Sequence, residues 1–156
     1  PSVRMVLLKG LTDKGFVFYT NFNSKKGNDL RNNPNASMCF HWKSIRRQIR
    51  ISGKASIVDK KEADKYFSSR DYGSKIAAWA SSQSKSMSSR NDFLKKIKEF
   101  EKKFPDKNNV PRPEYWSGWR VNPEQIEFWF EVKNRTHQRL NYIFREGNWV
   151  KEILYP

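Results

Sequence analysis

The residues best suited to chemistry lie in one short stretch, Asn134-Arg135-Thr136-His137-Gln138-Arg139. Two arginines and one histidine occupy positions i, i+2 and i+4 of it. If its later part is extended, these three side chains project from one face of a strand. Two permanent cations and one titratable imidazole suit an anionic, aromatic ligand. The alternative is a polar strand edge that faces water, since isolated charge clusters are usually solvated.

A second candidate site lies at the start of a predicted helix. Ser24 is a suitable N-cap, and it places Lys25 and Lys26 in the first turn. Cations at this position oppose the helix macrodipole. A bound anion would reverse that cost, because it would meet the exposed N–H groups and both lysines together. The pattern therefore indicates a phosphate site.

Composition and charge limit the classes of protein to consider. A chain of 156 residues is most simply one domain, and its six Trp, six Tyr and eleven Phe supply the bulk of a packed core. The net charge of +15 indicates anionic partners, either phosphates on a small molecule or a nucleic acid. For the lysines of the predicted helices, we prefer a simpler interpretation in which they coat solvent-facing surfaces.

The small number of cysteine and histidine residues argues against disulfide-rich and zinc-binding proteins. One cysteine, Cys39, rules out an intrachain disulfide framework and predicts a reducing, cytoplasmic compartment. Two histidines and one cysteine leave little material for zinc, so we predict no metal. No apolar run approaches the roughly 20 residues of a membrane span, and we expect no membrane partner. The strand-like pattern begins almost at Pro1, so we expect that an upstream segment is missing.

Hydrophobic alternation and turn residues predict a mainly β domain over residues 1–156, with peripheral helices. The predicted strands are 3–9, 16–20, 36–43, 47–58, a short one after Trp119, 124–132, 139–145 and 149–155. Helices are predicted after Ser24, Asp59 and Ser89 and over 73–82. Short turns imply antiparallel neighbours, hence a closed or partly closed antiparallel barrel. The chain has no Gly-x-Gly-x-x-Gly fingerprint and no P-loop, which disfavours the usual nucleotide folds.

Eight short segments are each weak alone but specific in this order. They are Arg4-Met5-Val6-Leu7-Leu8-Lys9, Phe18-Tyr19-Thr20-Asn21, Arg47-Gln48-Ile49-Arg50, Tyr66-Phe67-Ser68-Ser69-Arg70, Ala78-Trp79-Ala80-Ser81, Gln83-Ser84, Glu127-Phe128-Trp129 and Arg135-Thr136-His137-Gln138-Arg139. Together they resemble the pyridoxamine 5'-phosphate oxidase (pyridoxine 5'-phosphate oxidase) family. The similarity extends to the closing Leu154-Tyr155-Pro156, so it covers nearly the whole chain.

The resemblance implies an antiparallel FMN-binding split β-barrel that works as a homodimer with FMN at the subunit interface. The implied reaction oxidises pyridoxine or pyridoxamine 5'-phosphate to pyridoxal 5'-phosphate, with O2 as acceptor and H2O2 as product. The flavin carries the redox chemistry, and the protein supplies binding and orientation. Two alternatives are a split-barrel flavoprotein with another substrate, such as a flavin reductase, and a basic nucleic-acid-binding barrel. We disfavour the latter because the aromatic residues alternate as core positions do.

The resemblance also implies roles for individual residues. The flavin site would comprise Arg4, Met5, Val6, Leu7, Leu8, Lys9, Tyr19, Thr20, Lys25, Lys26, Gln48, Gln83, Ser84, Trp129 and Arg139. The substrate phosphate would be held by Lys9, Tyr66, Arg70 and Ser74. Arg135 and His137 would bind the substrate ring and act in catalysis. Arg135 would orient the ring and stabilise negative charge, while His137 would hydrogen-bond or relay a proton.

Spacing adds two expectations to these roles. Lys9 lies an odd number of residues from Arg4, so regular pleating would send the two cations to opposite faces, as two separate phosphates require. Tyr66 and Arg70 are spaced i, i+4, and on one helix face they can converge on a single anion.

The chain also departs from the usual family pattern. Gln138 stands in place of a carboxylate that could anchor neighbouring cations, and Thr136 replaces an apolar residue. Phe130-Glu131 stands where Gln-Gly is usual, and Lys25 replaces an arginine and its bidentate geometry. These differences bear on turnover and substrate preference more than on flavin binding.

Overall fold

The computed structural model describes residues 2–156, which form seven strands, four α-helices and two single-turn 3-10 helices. The strands are β1 (Gly10–Thr12), β2 (Gly15–Asn21), β3 (Asn35–Trp42), β4 (Arg47–Ile57), β5 (Trp116–Phe130), β6 (Gln138–Arg145) and β7 (Asn148–Leu154). The α-helices are α1 (Lys25–Asn32), α2 (Lys60–Ser68), α3 (Tyr72–Ala80) and α4 (Arg90–Lys103), and the 3-10 helices are Lys43–Ile45 and Lys133–Arg135. The predicted mainly β, antiparallel fold is confirmed.

The sheet is organised around β5, its longest strand. One edge of β5 pairs with β4, from Trp119↔Ile57 to Phe130↔Arg47. The other edge pairs first with β2 and then with β6, which continues into β7. Because β5 pairs with β2 along its first part and with β6 along its second, the curled sheet forms a half-barrel that continues to β1 on one side and to β7 on the other.

The change of neighbour on β5 coincides with an irregularity on its other edge. The pairing register shifts between Ser52 and Gly53, opposite Pro123. Proline has no N–H to donate to a ladder and is therefore tolerated at a bulge. A Cβ on Gly53 would lie 1.9 Å from the carbonyl oxygen of Asn122. The close approach of β4 and β5 at this point requires glycine.

Replacing Gly53 with alanine is expected to lower the free energy of unfolding by about 3 kcal/mol, since the backbone must move to admit the methyl group. Urea denaturation measures this change. The matched control is Gly73→Ala in α3, where an added Cβ would have its nearest neighbour at 3.7 Å. That change should be neutral or stabilise the helix by up to about 1 kcal/mol. Equal unfolding free energies for Gly53→Ala and the unchanged protein would contradict the requirement.

Two main apolar clusters hold the helices to the sheet. One lies under β2, β4 and β5 and comprises Phe18, Ala55, Trp119 and Val121. The other joins α2 and α3 to the start of β5 and comprises Phe67, Ile76, Val110 and Trp116. The apolar side of α4 packs on the second cluster through Ile97, Phe100 and Phe104. Trp116 of the second cluster, with Tyr19 and Tyr66 packed against it, also lines the site described below.

Two strand predictions were wrong. Residues 3–9 form no strand, although the N–H of Lys9 donates to the Val17 carbonyl at 2.8 Å. Regular pairing with β2 is limited to Gly10–Thr12. Of the preceding residues, Met5, Val6, Leu7 and Lys9 line a cavity. The pleating expected to separate Arg4 from Lys9 is therefore absent. The two strands predicted on either side of Pro123 are the single strand β5, since proline is accommodated by the bulge.

Candidate active site

A cavity of about 480 Å³ lies among the N-terminal residues, β2, α2 and α3. This size falls within the roughly 300–1,000 Å³ of typical small-molecule sites. The predicted flavin residues that line it are Met5, Val6, Leu7, Lys9, Tyr19, Thr20, Lys26 and Gln83. The predicted substrate residues that line it are Lys9, Tyr66, Arg70 and Ser74. We call these residues the cavity group; the fold brings them together from distant parts of the sequence.

One wall of the cavity is a stack of three aromatic rings. The ring centroid of Tyr19 lies 4.0 Å from that of Tyr66 and 5.3 Å from that of Trp116. The Tyr66 and Trp116 centroids are 6.1 Å apart, and the three ring planes are nearly parallel. Burial, with Glu62 nearby, raises the pKa of Tyr19 to about 12, so its hydroxyl stays protonated and can donate at neutral pH. Sequence reasoning missed Trp116, because nothing in its spacing distinguishes it from a core tryptophan.

Arg70 extends into the cavity over this wall. Its guanidinium lies 4.8 Å from the Trp116 ring centroid and 5.6 Å from that of Phe67. Its Nη1 is buried without a hydrogen-bond partner, and burial lowers the pKa of the guanidinium. An unpaired buried cationic donor is costly, and a bound anion would relieve that cost. The expected shared helix face with Tyr66 is wrong, since α2 ends at Ser68 and Arg70 lies in the bend beyond it.

A polar cluster lies where α1 begins. Lys26 Nζ donates to Thr20 Oγ1 and, at 3.1 Å, to Gln83 Oε1. The predicted cap is confirmed, because Ser24 Oγ accepts the N–H of Gly27. Burial and the nearby Arg4 lower the pKa of Lys26. The cluster presents one cation and several neutral groups to the cavity, an arrangement suited to a polar, anionic ligand.

Three more predicted flavin residues lie beside the cavity. Lys25 and Ser84 line an adjoining depression of about 300 Å³, which shares Gln83 with the cavity. Arg4 and Lys25 both pair with Asp29, at 3.5 and 3.3 Å. A hydrogen bond from Ser2, followed by those from Lys25 and Arg4, lowers the pKa of Asp29. Leu8, also predicted to contact flavin, lines neither space.

The remaining predicted site residues lie at the far end of β5. Gln48, Trp129 and Arg139 form a row across β4, β5 and β6 through the register pairs Gln48↔Trp129 and Trp129↔Arg139. Arg135 and His137 lie in the loop that follows β5. None of these five residues, which we call the strand-end group, lines the cavity. Trp129 is thirteen residues beyond Trp116, roughly 43 Å along an extended strand. Within one subunit, the strand-end group is therefore separated from the cavity group by most of the length of β5.

The loop between β5 and β6 corrects the first prediction. Arg135, His137 and Arg139 do not share a strand face, because β6 begins only at Gln138. Asn134 and Arg135 have φ values of 55° and 61°, in the left-handed region that ends extended structure. Such backbone costs roughly 1–3 kcal/mol per residue and is concentrated at functional sites.

His137 is oriented by the same loop. The N–H of Val132 donates to His137 Nδ1 at 3.2 Å, and the imidazole lies 4.6 Å from the Trp129 ring, centroid to centroid. Because Nδ1 accepts this bond, a neutral ring carries its proton on Nε2. His137 can therefore offer an Nε2–H donor beside Trp129.

Within residues 2–156, no helix has both the length and the apolar character needed to cross a bilayer. In the same range, no three His, Cys, Asp or Glu side chains are grouped as metal ligands.

Comparisons with known proteins cover both parts of this site. The family model described as pyridoxamine 5'-phosphate oxidase matches residues 1–104. The model described as the pyridoxine 5'-phosphate oxidase C-terminal dimerisation region matches residues 116–156. The chain is 57% identical over 157 residues to a pyridoxine/pyridoxamine 5'-phosphate oxidase of Pelagibacter ubique, covering all of this chain and 76% of that relative.

Two solved structures share the fold of this chain. The fold is similar to that of PhzG from Burkholderia lata, solved in complex with tetrahydrophenazine-1-carboxylic acid, with a TM-score of 0.92 and 30% identity over 99% of this chain and 75% of that one. It is also similar to a pyridoxamine 5'-phosphate oxidase-related, FMN-binding protein from Nostoc punctiforme, with a TM-score of 0.75 and 14% identity over 98% of this chain and 80% of that one. The latter likeness concerns the fold alone. With its two regions matched in order and more than half of its residues shared with a named relative, the chain belongs to the pyridoxamine 5'-phosphate oxidase family.

Proposed function

We propose that this protein uses FMN to oxidise pyridoxine and pyridoxamine 5'-phosphates to pyridoxal 5'-phosphate, with O2 as acceptor and H2O2 as product. The observation that carries the proposal is the buried, unpaired Nη1 of Arg70 in a cavity that Lys9, Tyr66 and Ser74 also line. These side chains offer several donors to one phosphate, and charge-assisted hydrogen bonds are the strong ones. The 57% identity to a relative named for this activity supports the same assignment.

The residues present fit FMN as the cofactor. Lys26, Thr20 and Gln83 provide a cation and both hydrogen-bonding senses at one end of the cavity, next to Lys25 and Ser84. Bound FMN would supply the hydride acceptor and the reaction with oxygen. The chain's own task is then to hold two phosphorylated molecules in contact and to exclude water from between them.

The homodimer follows from the C-terminal region, which the family comparison identifies as a dimerisation region. The hairpin of β6 and β7 leaves Phe144, Trp149, Val150 and Ile153 exposed, a set of apolar side chains that a subunit contact would bury. We propose further that each FMN lies between the cavity group of one subunit and the strand-end group of the other. The division of the predicted site along β5 supports this arrangement, because neither half alone contains all the residues.

Within that arrangement, the strand-end residues would act on the substrate ring. Arg135 remains protonated, so it would orient the ring and stabilise negative charge on the substrate oxygen rather than accept a proton. His137 would donate its Nε2–H, as the Val132 contact requires. Arg70, Tyr66, Ser74 and Lys9 would hold the substrate phosphate from the cavity side. The barrier is then lowered chiefly by placing the donor carbon against the flavin.

The whole chain would act as one domain. β5, from the second matched region, pairs with β2 and β4 from the first, so the two regions share one sheet. The free, exposed Cys39 suits a reducing compartment, and we retain a cytoplasmic location as part of the proposal.

The test uses the purified full chain. We expect a yellow protein that releases FMN on denaturation, forms peroxide with pyridoxine 5'-phosphate, and is bleached by that substrate when oxygen is absent. Colourless protein that fails to take up FMN would refute the proposal. A second candidate is a split-barrel flavoprotein with another substrate, and the 30% identity to PhzG supports this alternative. It predicts FMN binding with no oxidation of pyridoxine 5'-phosphate, and indifference to replacement of Arg70.

A further inference from the structure

We infer that Glu127 is a positioning residue that fixes the guanidinium of Arg139 and thereby sets the affinity of the protein for FMN. The inference rests on the proposed function, in which Arg139 contacts the flavin. Glu127 itself contacts neither flavin nor substrate in this scheme; it acts through Arg139. The sequence pattern gave Glu127 no role beyond its place in one family segment.

The hydrogen bonds of Arg139 use a defined subset of its donors. Arg139 Nε donates to Glu127 Oε1 at 2.9 Å, and Nη2 donates to Glu127 Oε2 at 3.0 Å. Arg139 Nη1 donates to the carbonyl oxygen of Tyr155 at 2.9 Å. A guanidinium has five N–H donors, so two remain, one on each terminal nitrogen. The bidentate bond fixes the plane in which these two donors point.

Glu127 is buried as a carboxylate between two arginines. Its side chain is 4% exposed, and Arg50 Nη2 also donates to its Oε2. Two cations facing one anion leave a net charge of one positive unit, and both guanidinium groups are more exposed than the carboxylate, at 54% for Arg50 and 26% for Arg139. The hydrogen bond from Arg139, helped by that from Arg50, lowers the pKa of Glu127. The anchor is therefore ionised at neutral pH.

The anchor belongs to a second row of polar side chains behind the predicted flavin row. The register pairs Arg50↔Glu127 and Glu127↔Asn141 lie two residues along from the row that contains Trp129, on the same face of the sheet. Asn141 is 2% exposed and accepts from Gln125 Nε2 at 2.9 Å. In this row Arg50 donates to Glu127, whereas Asn141 bonds to Gln125 and Glu152. Arg50 thus holds Glu127 from one side, and Glu127 fixes Arg139.

The arrangement also accounts for the departure at Gln138. The missing carboxylate was expected to deprive neighbouring cations of an anchor, yet Arg139 already has two bonds to Glu127 and one to Tyr155. Gln138 is exposed and is adjacent in sequence to Arg139, so its side chain points to the other face of β6. Arg139 is therefore held in place without a carboxylate at position 138.

Glu127→Gln, measured in the full chain by titration with FMN, is the first test. Glutamine keeps the shape of the side chain but loses its charge and one of the two oxygens that accept from Arg139. We expect the dissociation constant for FMN to rise about tenfold or more and the visible flavin spectrum to shift. The control is Glu124→Gln on the same strand, where the exposed carboxylate is 3.9 Å from Lys54; this variant should bind FMN as the unchanged protein does.

A double-mutant cycle separates positioning from a general structural effect. If Glu127 acts through Arg139, then Glu127→Gln adds little further loss of FMN affinity once Arg139→Gln is present. Independent, multiplying losses would overturn the inference, as would equal FMN affinity and spectra for Glu127→Gln and Glu124→Gln. If Glu127→Gln does not fold, Glu127→Asp keeps the charge and shortens the reach, and normal FMN affinity in that variant would also overturn it. Failure of the unchanged protein to bind FMN would instead refute the proposed function itself.

Discussion

Replacing Arg70 with methionine is expected to raise the KM for pyridoxine 5'-phosphate about 100-fold and to leave the affinity for FMN unchanged. Each charge-assisted hydrogen bond contributes roughly 1.5–3 kcal/mol, and the loss of two such bonds to a phosphate gives at least this factor. Because the phosphate is remote from the reacting carbon, the loss should fall on KM more than on kcat. Methionine can still pack on Trp116, over which the guanidinium now lies.

The same substitution should weaken substrate binding without weakening the stability of the protein. Arg70 Nη1 is buried without a partner in the free protein, so methionine should not lower the free energy of unfolding and can raise it. Steady-state kinetics and urea unfolding of one preparation measure both quantities. Arg90→Met is the matched control, since Arg90 is exposed at the start of α4. A loss of stability in Arg70→Met without a change in KM would show that Arg70 is structural and does not bind the phosphate.

Two impaired variants are expected to restore activity when their subunits are mixed and assayed with pyridoxine 5'-phosphate well below the raised KM of Arg70→Met. Arg70→Met damages the cavity group, and Arg135→Met damages the strand-end group. If each site combines the two groups from different subunits, a mixed dimer contains one site with both changes and one with neither. Random pairing makes half of the dimers mixed, each with one intact site, so activity should return to about one quarter of that of the unchanged protein.

The outcome depends only on which subunit contributes each of the two groups to a site. Co-expression with two affinity tags isolates the mixed dimer. With one intact site of two, it should show about half the peroxide production of the unchanged protein. Pairing Arg70→Met with Lys26→Met is the control, because both changes lie in the cavity group and leave no intact site in any dimer. Activity that stays absent in the Arg70→Met and Arg135→Met mixture would place both groups in one subunit's site and refute the interface arrangement.

Much of the fold could be predicted because local patterns agreed with packing. β2, β4 and the β6–β7 hairpin follow from alternation and turn residues, and α4 begins after Ser89, where a helix was predicted. The cap at Ser24 follows from hydrogen-bonding chemistry that needs no tertiary contact. These elements depend on residues that are close in sequence.

The failures share a physical cause, which is that distant parts of the chain decide the local conformation. Residues 3–9 look like a strand but line a cavity built by α2 and α3. Pro123 resembles a strand end, yet a glycine on β4 accommodates it. The left-handed backbone of Asn134 and Arg135 follows from no residue preference as strong as that of glycine. Trp116 and Glu127 matter through partners that only the folded sheet brings to them.

In the proposed dimer, the continuity of β5 through its bulge gives each strand a place in two reaction centres. Trp116 at its start would serve one FMN, and Trp129 near its end would serve the other. The β5 strands of the two subunits would then each connect the two flavin sites, and each strand is bent at the bulge opposite Gly53. A substitution that strains the backbone at Gly53 would therefore alter both flavin sites at once. The distance between the two groups of residues that form each site would depend on the curvature of β5.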